Sequence, residues 1–360
     1  MSVTVSGLVR RYPNAERPAV EGISFVAERG AITTLLGPSG SGKTTVLRIL
    51  AGLESADQGR VCFGDRDVTD VAPQKRRVGL VFQGYALFPH LTVRENVAFG
   101  LSVRGVDRRV IDDRVRALLD RVRLPGHGGR YPRELSGGER QRIAFARALA
   151  VEPDVLLLDE PFGALDARVR VELRAWLRHL HEDTKLTTVL VTHDQEEALE
   201  VSDRIVVMRG GKVEQVGTPR DVYERPTTPF VASFVGVSNL LRGRVEGGRV
   251  ALSRMRDASV AAPEGAVEGD DVSAFVRADD LELRRANACE SETDSEIELA
   301  TIERITHVGA TVRVAVRLPS GAPLTVHSPR AELEALALVP GDRVLVNVRE
   351  ACVFVGHFSI

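Results

Sequence analysis

The stretch GPSGSGKTT, residues 37–45, combines glycines, a lysine and hydroxyl side chains at a spacing that suits polyphosphate binding. It fits the pattern G-x-x-x-x-G-K-[ST]. In such a loop the backbone N–H groups surround the phosphates, the lysine reaches the β and γ phosphates, and the following hydroxyl ligates magnesium. The competing interpretation is a glycine turn ahead of an ordinary helix. We predict that the phosphate chain of a nucleotide binds to Gly37, Pro38, Ser39, Gly40, Ser41, Gly42, Lys43, Thr44 and Thr45.

Polar side chains follow three apolar runs elsewhere in the chain. Gln83 follows RVGLVF, Asp159 and Glu160 end VLLLDE, and His193 follows TTVLVT. Residues at the carboxyl ends of parallel strands face the ligand in open α/β sheets. Because strand neighbours point to opposite faces, Asp159 can lie over a magnesium ion while Glu160 lies near an attacking water. The alternative for each position is a polar strand end without a chemical role.

The segment LSGGERQR, residues 135–142, predicts a second anion site at a helix N-terminus. Ser136 is a plausible N-cap with Glu139 three residues later, so the helix should begin at the two glycines. A capped helix without further function is the alternative. Asp166 should cap another helix, and Asp194 with Glu197 predicts a capping box for the helix after His193.

Apolar periodicity indicates the elements that position these residues. Buried strands are predicted at 31–36, 77–82, 155–159 and 187–192, with helices following at 45–51, 108–122 and 167–181. From about residue 238 short alternating strands replace the helical pattern. The predicted fold is therefore an α/β nucleotide-binding domain over residues 1–236, with a helical subdomain at about 84–150. A small β-barrel is predicted over residues 238–360.

Composition limits the functional classes. The net charge is −2 with 27% charged residues, so no global field attracts nucleic acid, and we predict no nucleic-acid partner. Three cysteines, Cys62, Cys289 and Cys352, show no Cys-x-x-Cys spacing, which fits a reducing compartment. No apolar run approaches the roughly 18 to 20 residues that span a bilayer, and the first residues do not resemble a signal peptide. We expect a cytosolic protein that serves any membrane process peripherally.

Over roughly residues 1–235 the chain resembles the nucleotide-binding subunit of ABC transporters. The phosphate loop, Gln83, LSGGERQ, VLLLDE, Ala164-Leu165-Asp166 and His193 follow the order and spacing of that family. The resemblance implies a head-to-tail homodimer that holds two ATP molecules with Mg²⁺. In that dimer the phosphate loop of one subunit would face LSGGERQR, residues 135–142, of the other subunit; we call these residues the signature segment. Its nucleotide-facing residues would be Ser136, Gly137, Gly138 and Gln141.

The same resemblance implies roles for individual residues of these motifs. Tyr12 would stack on adenine, Glu160 would be the general base, and His193 would sense the γ-phosphate. Lys43 would bind the phosphates, and Asp166 would lie at the dimer interface. Magnesium would be held by Thr44, Gln83 and Asp159. Two transmembrane permease subunits would dock at the segment from Tyr85 to Thr92, on the cytoplasmic face of the membrane.

The carboxyl half resembles the β-barrel extension, the TOBE-type domain, of importers for oxyanions, iron, polyamines and sugars. The resemblance implies that residues 1–236 are an ABC ATP-binding domain and that residues 238–360 are an OB-like regulatory barrel. Residues 166–208 and the ending VFVGHFSI are most similar to sulfate/thiosulfate import ATP-binding proteins. An extracytoplasmic solute-binding protein would then be an indirect partner. Gly84 and Pro89 depart from that subgroup, and Pro89 is more usual in iron and polyamine relatives. The same ATPase role in ferric iron, polyamine, molybdate or sugar import is therefore the alternative.

The sequence also bears on functions outside transport. An ABC ATPase of DNA maintenance needs a long coiled coil between the phosphate loop and LSGGERQ, and the intervening segment is too short for one. A ribosome-acting ABC ATPase carries two cassettes in one chain, whereas only one is present here. A soluble nucleotide-dependent regulator whose barrel binds an oxyanion remains as the alternative from another class.

Overall fold

The computed structural model describes residues 1–163, 165–252, 259–263, 265–285 and 299–358. Ala164, Cys289 and the last two residues of VFVGHFSI, which entered the sequence analysis, lie outside these ranges. The contacts of the chain group it into two units, Met1–Val222 and Tyr223–Ile360. The predicted domain boundary at 236–238 stays a prediction.

The first unit contains two sheets. Its strands are β1 Val3–Arg10, β2 Val20–Ala27, β3 Ile32–Leu36, β4 Gln58–Phe63, β5 Arg66–Asp67, β6 Val78–Val81, β7 Val155–Asp159, β8 Thr187–Thr192, β9 Arg204–Arg209 and β10 Lys212–Gly217. The central sheet has the order β10-β9-β3-β8-β7-β6, and the second sheet has the order β2-β1-β4-β5. All pairs from β9 to β6 are parallel, whereas β10 is antiparallel to β9. The four predicted core strands are thus confirmed.

Both faces of the central sheet are buried. Along β7, Leu156 and Leu158 belong to one hydrophobic cluster, whereas Val155 and Leu157 belong to the other. Alternate residues of a strand point to opposite faces, so a strand covered on both sides needs a continuous apolar run. This explains why VLLL, residues 155–158, shows no alternation of apolar and polar residues. It also places the carboxylates of Asp159 and Glu160 at the carboxyl edge of the sheet.

The helices of the first unit are α1 Lys43–Ala51, α2 Val93–Val103, α3 Arg108–Arg121, α4 Gly137–Ala150, α5 Ala167–Thr184 and α6 Gln195–Val201. The next helix, α7 Pro219–Glu224, spans the point where the two units divide, and α8 Pro229–Phe234 belongs to the second unit. Short 3-10 turns lie at Pro73–Lys75, His127–Gly129 and Pro132–Glu134. Three of the helices, α2, α3 and α4, fall within the predicted helical segment. No helix in the described part of the chain has the length and apolar character to cross a membrane.

The second unit is built from antiparallel strands. These are β11 Ser238–Glu246, β12 Arg249–Leu252, β13 Ser259–Ala261, β14 Asp271–Arg277, β15 Leu281–Arg285, β16 Ala300–Val308, β17 Thr311–Arg317, β18 Pro323–Pro329, β19 Arg343–Val348 and β20 Cys352–Val355, with α9 at Arg330–Leu336 and a 3-10 turn at Ala278–Asp280. The described strands pair in two five-stranded sheets, β13-β12-β11-β14-β20 and β15-β19-β16-β17-β18, which share one hydrophobic core. The predicted β-rich domain is confirmed, whereas its closure into an OB-like barrel stays a prediction.

A buried arginine holds α8 to the strands of the second unit. Arg277, at the end of β14, is 7% exposed, and its guanidinium donates to the carbonyls of Tyr223 at 2.8 Å and Ala232 at 2.9 Å. The guanidinium also lies 4.6 Å from the centre of the Tyr223 ring. The contacts of Arg277 therefore tie α8 to the strands of the second unit.

Candidate functional site

The phosphate loop joins β3 to α1 in a conformation that requires glycine. Gly42 has φ of 96°, in the left-handed region, and a Cβ there would lie 2.3 Å from the Ala19 carbonyl oxygen. At Gly37 a Cβ would lie 2.2 Å from the Met208 carbonyl oxygen. Any side chain at these two positions would therefore push the loop away from β9 and the segment before β2. The first N–H groups of α1 follow directly, because the helix begins at Lys43.

The Lys43 ammonium lies inside this loop. Its Nζ donates to the carbonyls of Gly37 at 2.8 Å and Pro38 at 2.9 Å and lies 3.4 Å from Ser41 Oγ. The residue is 5% exposed, and burial lowers the pKa of its ammonium, although the carboxylates of Glu160 and Asp159 oppose that shift. The loop thus presents a desolvated cation among backbone N–H groups, which suits a polyphosphate.

Thr44 and Asp159 meet between α1 and the end of β7. The Thr44 hydroxyl donates to Asp159 Oδ1 at 3.2 Å. Burial raises the pKa of Asp159, and the hydrogen bond from Thr44 opposes that rise. Hydroxyl and carboxylate oxygens are hard donors of the kind that Mg²⁺ prefers. In the described part of the chain no three His, Cys, Asp or Glu side chains cluster as a metal site, so any ion here would rely on this mixed oxygen set.

Glu160 is the point where three strand ends converge. Its Oε2 accepts from Gln83 Nε2 at 2.8 Å, and its Oε1 lies 3.0 Å from His193 Nδ1. Its φ of 44° is unusual for a residue with a side chain, and its N–H donates to the Val191 carbonyl at 2.9 Å. The backbone therefore turns at the end of β7 to aim this carboxylate between the ends of β6 and β8. A carboxylate held in this way can accept a proton from a water molecule.

Tyr12 lies beside the start of α1. Its hydroxyl is 3.4 Å from Glu54 Oε2 and 3.5 Å from Thr45 Oγ1, and the Arg10 guanidinium is 5.3 Å from its ring centre. Arg10 is itself paired with Glu54 at 2.6 Å and with Asp57 at 2.7 Å. The aromatic ring predicted from sequence as a base-stacking surface is thus brought next to the phosphate loop.

The signature segment forms the predicted capped helix start. Ser136 Oγ accepts from the Glu139 N–H at 3.3 Å, and Glu139 Oε2 accepts from the Ser136 N–H at 2.7 Å, so the capping box is confirmed. At Gly138 a Cβ would lie 2.7 Å from Val169 Cγ1, so only glycine allows this approach to α5. Gln141 is fully buried, and both polar atoms of its amide have no hydrogen-bond partner.

Two parts of the predicted site do not meet in one chain. Within the described ranges, no hydrogen bond or ion pair joins residues 136–141 to residues 37–45. Asp166 is placed as predicted at the start of α5, where its Oδ1 accepts from the Val169 N–H at 3.0 Å. Gly137 lies close to this region, because a Cβ there would be 3.0 Å from Leu165 Cδ2. The signature segment and Asp166 therefore form a surface of their own.

One local prediction near His193 is wrong. Asp194 Oδ1 caps α6 by accepting from the Glu197 N–H at 3.1 Å, as expected. The Glu197 carboxylate, however, accepts from the Thr192 hydroxyl at 2.5 Å, and the Asp194 N–H donates to Thr192 Oγ1 at 3.0 Å. The capping box is not completed because Glu197 is buried, and the hydroxyl at the end of β8 lies between it and the N-cap.

Two residues that the sequence patterns did not predict, Arg147 and Asn96, hold the segment between β6 and α2. Tyr85 and Ala86 both have positive φ, at 62° and 46°, and Arg147 donates to their carbonyls at 3.2 and 2.6 Å. Asn96, fully buried in α2, contacts Phe88 N and O and the carbonyls that follow. A polar residue on the apolar face of each helix was the available signal.

Two known protein families match different parts of the chain. The ABC transporter family matches residues 20–163, and the TOBE domain family matches residues 274–355. Among solved structures, the dimeric structure of MJ0796, a bacterial ABC transporter cassette, shares 31% identity with a TM-score of 0.55. The match covers 61% of this chain and 99% of that one. A second dimeric structure of this cassette, in a post-hydrolysis state bound to ADP and Pi, matches with the same values.

Curated relatives match along the full length. The sulfate/thiosulfate import ATP-binding protein CysA of Thermosynechococcus vestitus is 47% identical over 360 residues, which is 100% of both chains. The protein of the same name from Nitrosomonas europaea is 50% identical, covering 99% of this chain and 98% of that protein. Together with the phosphate loop, the signature segment and the converging strand ends, these matches establish that the chain belongs to the ABC transporter ATP-binding subunits, in the group of sulfate/thiosulfate import ATP-binding proteins.

Proposed function

We propose that this chain is the ATP-hydrolysing subunit of an ABC importer and energises the uptake of sulfate or thiosulfate through a membrane permease. The observation that carries the ATPase assignment is the convergence of Gln83, Glu160 and His193 beside the phosphate loop. Relatives that match over the whole chain and carry the sulfate/thiosulfate name support the substrate. Gly84 departs from the sulfate subgroup, and Pro89, which is more usual in iron and polyamine relatives, makes ferric iron or polyamine import the second candidate.

In this proposal the work of the site is positioning and charge neutralisation. Lys43 and the N–H groups of residues 37–45 bind the phosphates, and Tyr12 stacks on the adenine. Glu160 takes the proton of the attacking water, and His193, which shares that carboxylate, contacts the γ-phosphate. Phosphoryl transfer needs little covalent chemistry from the protein, so positioning and charge neutralisation are what these side chains would contribute from one chain.

Magnesium would be held by Thr44, Asp159 and Gln83. The first two residues already share a hydrogen bond, so both oxygens lie on one side of the phosphate loop. When bound, the ion neutralises charge on the β and γ phosphates. The residues themselves orient it, because α1 fixes the Thr44 hydroxyl and the buried end of β7 fixes the Asp159 carboxylate.

The complete site would need a second copy of the chain. Among the described residues, no hydrogen bond or ion pair joins Ser136 to the phosphate loop of the same chain. In a head-to-tail homodimer the N–H groups at the start of α4 would face the γ-phosphate held by the partner subunit. The residues that we propose for this surface are Ser136, Gly137, Gly138, Gln141 and Asp166. One dimer would therefore hold two ATP molecules.

The permease subunits would dock beside the segment Tyr85–Thr92, with the protein peripheral on the cytoplasmic face of the membrane. A groove of 410 Å³ lies next to this segment and is lined by Val78, Gly79, Leu80, Phe82, Ala86, Phe88, Phe99, Arg147, Ala148 and Val151. Phe82 and Phe99 remain 38% and 41% exposed. An apolar concave surface of this kind suits a short amphipathic segment of a partner.

The extracytoplasmic solute-binding protein would act on the opposite side of the membrane. Residues 1–236 would be the ATP-binding domain, and residues 238–360 would be regulatory.

Replacing Glu160 with Gln tests the function. The amide keeps the shape of the side chain but cannot take the proton, so Glu160→Gln should bind ATP and dimerise yet lose hydrolysis and transport. Glu28→Gln, at an exposed strand end remote from the loop, serves as the matched control and should behave as wild type. A nucleotide-dependent regulator would keep its output in Glu160→Gln, and that result would contradict the importer.

Growth of a deletion strain tests the substrate. Without this chain, cells that have no second importer should fail to grow on sulfate as sole sulfur source and should grow on cysteine. Normal growth on sulfate would remove the sulfate assignment while leaving the ATPase in place.

A further inference from the structure

Two chain segments that leave the ends of β7 and β8 carry the residues proposed for catalysis and for the dimer surface. The first comprises residues 160–163 and 165–166, and the second is the turn from Thr192 to Asp194 with His193 at its centre. Hydrogen bonds fix this second segment on both sides of His193. The Thr192 hydroxyl donates to Glu197, and the Asp194 N–H donates back to Thr192 Oγ1.

One arginine spans both segments. Arg170, in the first turn of α5, donates through Nη2 to the Leu165 carbonyl at 3.3 Å and through Nη1 to Asp194 Oδ2 at 3.3 Å. Its Nε lies 3.9 Å from Glu197 Oε1. The planar guanidinium fixes the directions of its donors, so these contacts set the spacing between Leu165 and the His193 turn.

The carboxylate behind the turn depends on this cation. The Glu197 side chain is 4% exposed, and burial raises the pKa of its carboxyl, whereas the hydrogen bond from Thr192 and the charges of Arg170 and Arg174 act in the opposite direction. A buried carboxylate that loses a cationic neighbour tends to take up a proton or move toward water. Either change would alter the acceptor that holds the Thr192 hydroxyl, and with it the position of His193.

We propose that Arg170 is a positioning residue that couples the dimer-surface segment at Leu165–Asp166 to the His193 turn. The inference rests on the proposed ATPase function. Arg170 contacts neither the phosphate loop nor Glu160 and acts through Asp194 and Glu197. When a second copy engages Asp166, the guanidinium transmits the position of that segment to His193, which holds Glu160 Oε1 at 3.0 Å.

The test is ATP hydrolysis by the full-length chain carrying Arg170→Gln. Displacement of a catalytic group by a fraction of an ångström to 1 Å can lower rates by up to about 100-fold. We expect kcat to fall at least about 10-fold, with KM for ATP within about twofold, because the phosphate loop is untouched. Arg170→Lys keeps a cation near Glu197 but lacks the fork, so it should recover only part of kcat.

Arg168→Gln is the matched control, since Arg168 lies on the same helix turn, is 90% exposed and pairs with Glu172. This variant should retain wild-type kcat. The double variant Arg170→Gln/Asp194→Asn should be no slower than the slower single variant, because both changes break one link. Thermal unfolding confirms that each variant is folded.

An Arg170→Gln protein that is folded and has wild-type kcat overturns the inference. The control Arg168→Gln showing the same changes in kcat and KM as Arg170→Gln would also overturn it. Multiplicative losses in the double variant also contradict it. If the wild-type chain hydrolyses no ATP, the proposed function fails instead, so the two failures are distinguishable.

Discussion

Asn96→Ala should loosen the segment that we propose as the permease-docking site. The Asn96 side chain accepts from the Phe88 N–H at 2.8 Å and donates to the carbonyls of Phe88, Leu91 and Thr92 at 3.0 to 3.1 Å. Its amide has only two hydrogens for three acceptors, so about three full hydrogen bonds are present. The Thr92 carbonyl keeps its bond from the Asn96 N–H, and the Phe88 carbonyl keeps its bond from the Leu91 N–H, which leaves the Phe88 N–H and the Leu91 carbonyl as the groups that lose partners.

The magnitude follows from these contacts. Each net hydrogen bond contributes roughly 0.5 to 1.5 kcal/mol, so three contribute about 3 kcal/mol. Alanine is the better helix former by up to about 0.7 kcal/mol, which offsets part of the loss. We therefore expect Asn96→Ala to lower the free energy of unfolding of the first unit by about 2 kcal/mol. Ser102→Ala, on the same helix, removes a hydroxyl that bonds only to Ala98 and should change it by less than about 0.5 kcal/mol.

Urea unfolding followed by tryptophan fluorescence measures this. Trp176 is the single tryptophan of the chain and belongs to the same hydrophobic cluster as Val93 and Val97 of α2. Transport coupled to ATP hydrolysis should be lost more than hydrolysis itself, because the docking segment and not the phosphate loop is affected. An Asn96→Ala protein that unfolds within about 0.5 kcal/mol of wild type would refute the assignment of Asn96 as the anchor of this segment.

Three further predictions concern the nucleotide site and its surface. Burial raises the pKa of Asp159, so its ionised carboxylate destabilises the fold at pH values above the ordinary pKa of an Asp. In EDTA, Asp159→Asn should therefore have a higher unfolding temperature than wild type at neutral pH, and this difference should vanish below the unfolded-state pKa. A difference in unfolding temperature that grows on acidification would contradict this. Gly138→Ala places a Cβ 2.7 Å from Val169 Cγ1 and should destabilise by about 1 to 3 kcal/mol, with rescue by Val169→Ala, whereas Gly129→Ala, which meets nothing within 4 Å, should be neutral by calorimetry. An interface variant that light scattering shows to be a monomer should hydrolyse little ATP, and full turnover from such a monomer would rule out the shared site.

Local features of the sequence predicted most of the first unit. The glycine pattern of the phosphate loop, the apolar runs of β3, β6, β7 and β8, and the capping box at Ser136 depend on residues within a few positions of each other. Hydrogen bonding within a turn and burial of alternate faces follow from such spacing alone. The hydrogen-bond partners of side chains were harder to predict. The Glu197 carboxylate, for example, accepts from the Thr192 hydroxyl and not from the backbone N–H of its helix N-cap.

The sequence by itself determined which groups could bind phosphate and which strands carry them, since motif spacing and apolar periodicity are properties of the chain. Only the tertiary structure decided that Gln83 and Glu160, 77 positions apart, share a hydrogen bond, and that Arg170 reaches Leu165 and Asp194 together. It also decided that the described strands of the second unit pair in two sheets and that Arg277 draws α8 to them. These contacts join residues distant in sequence, so they follow from the packing of whole elements, which no local pattern encodes.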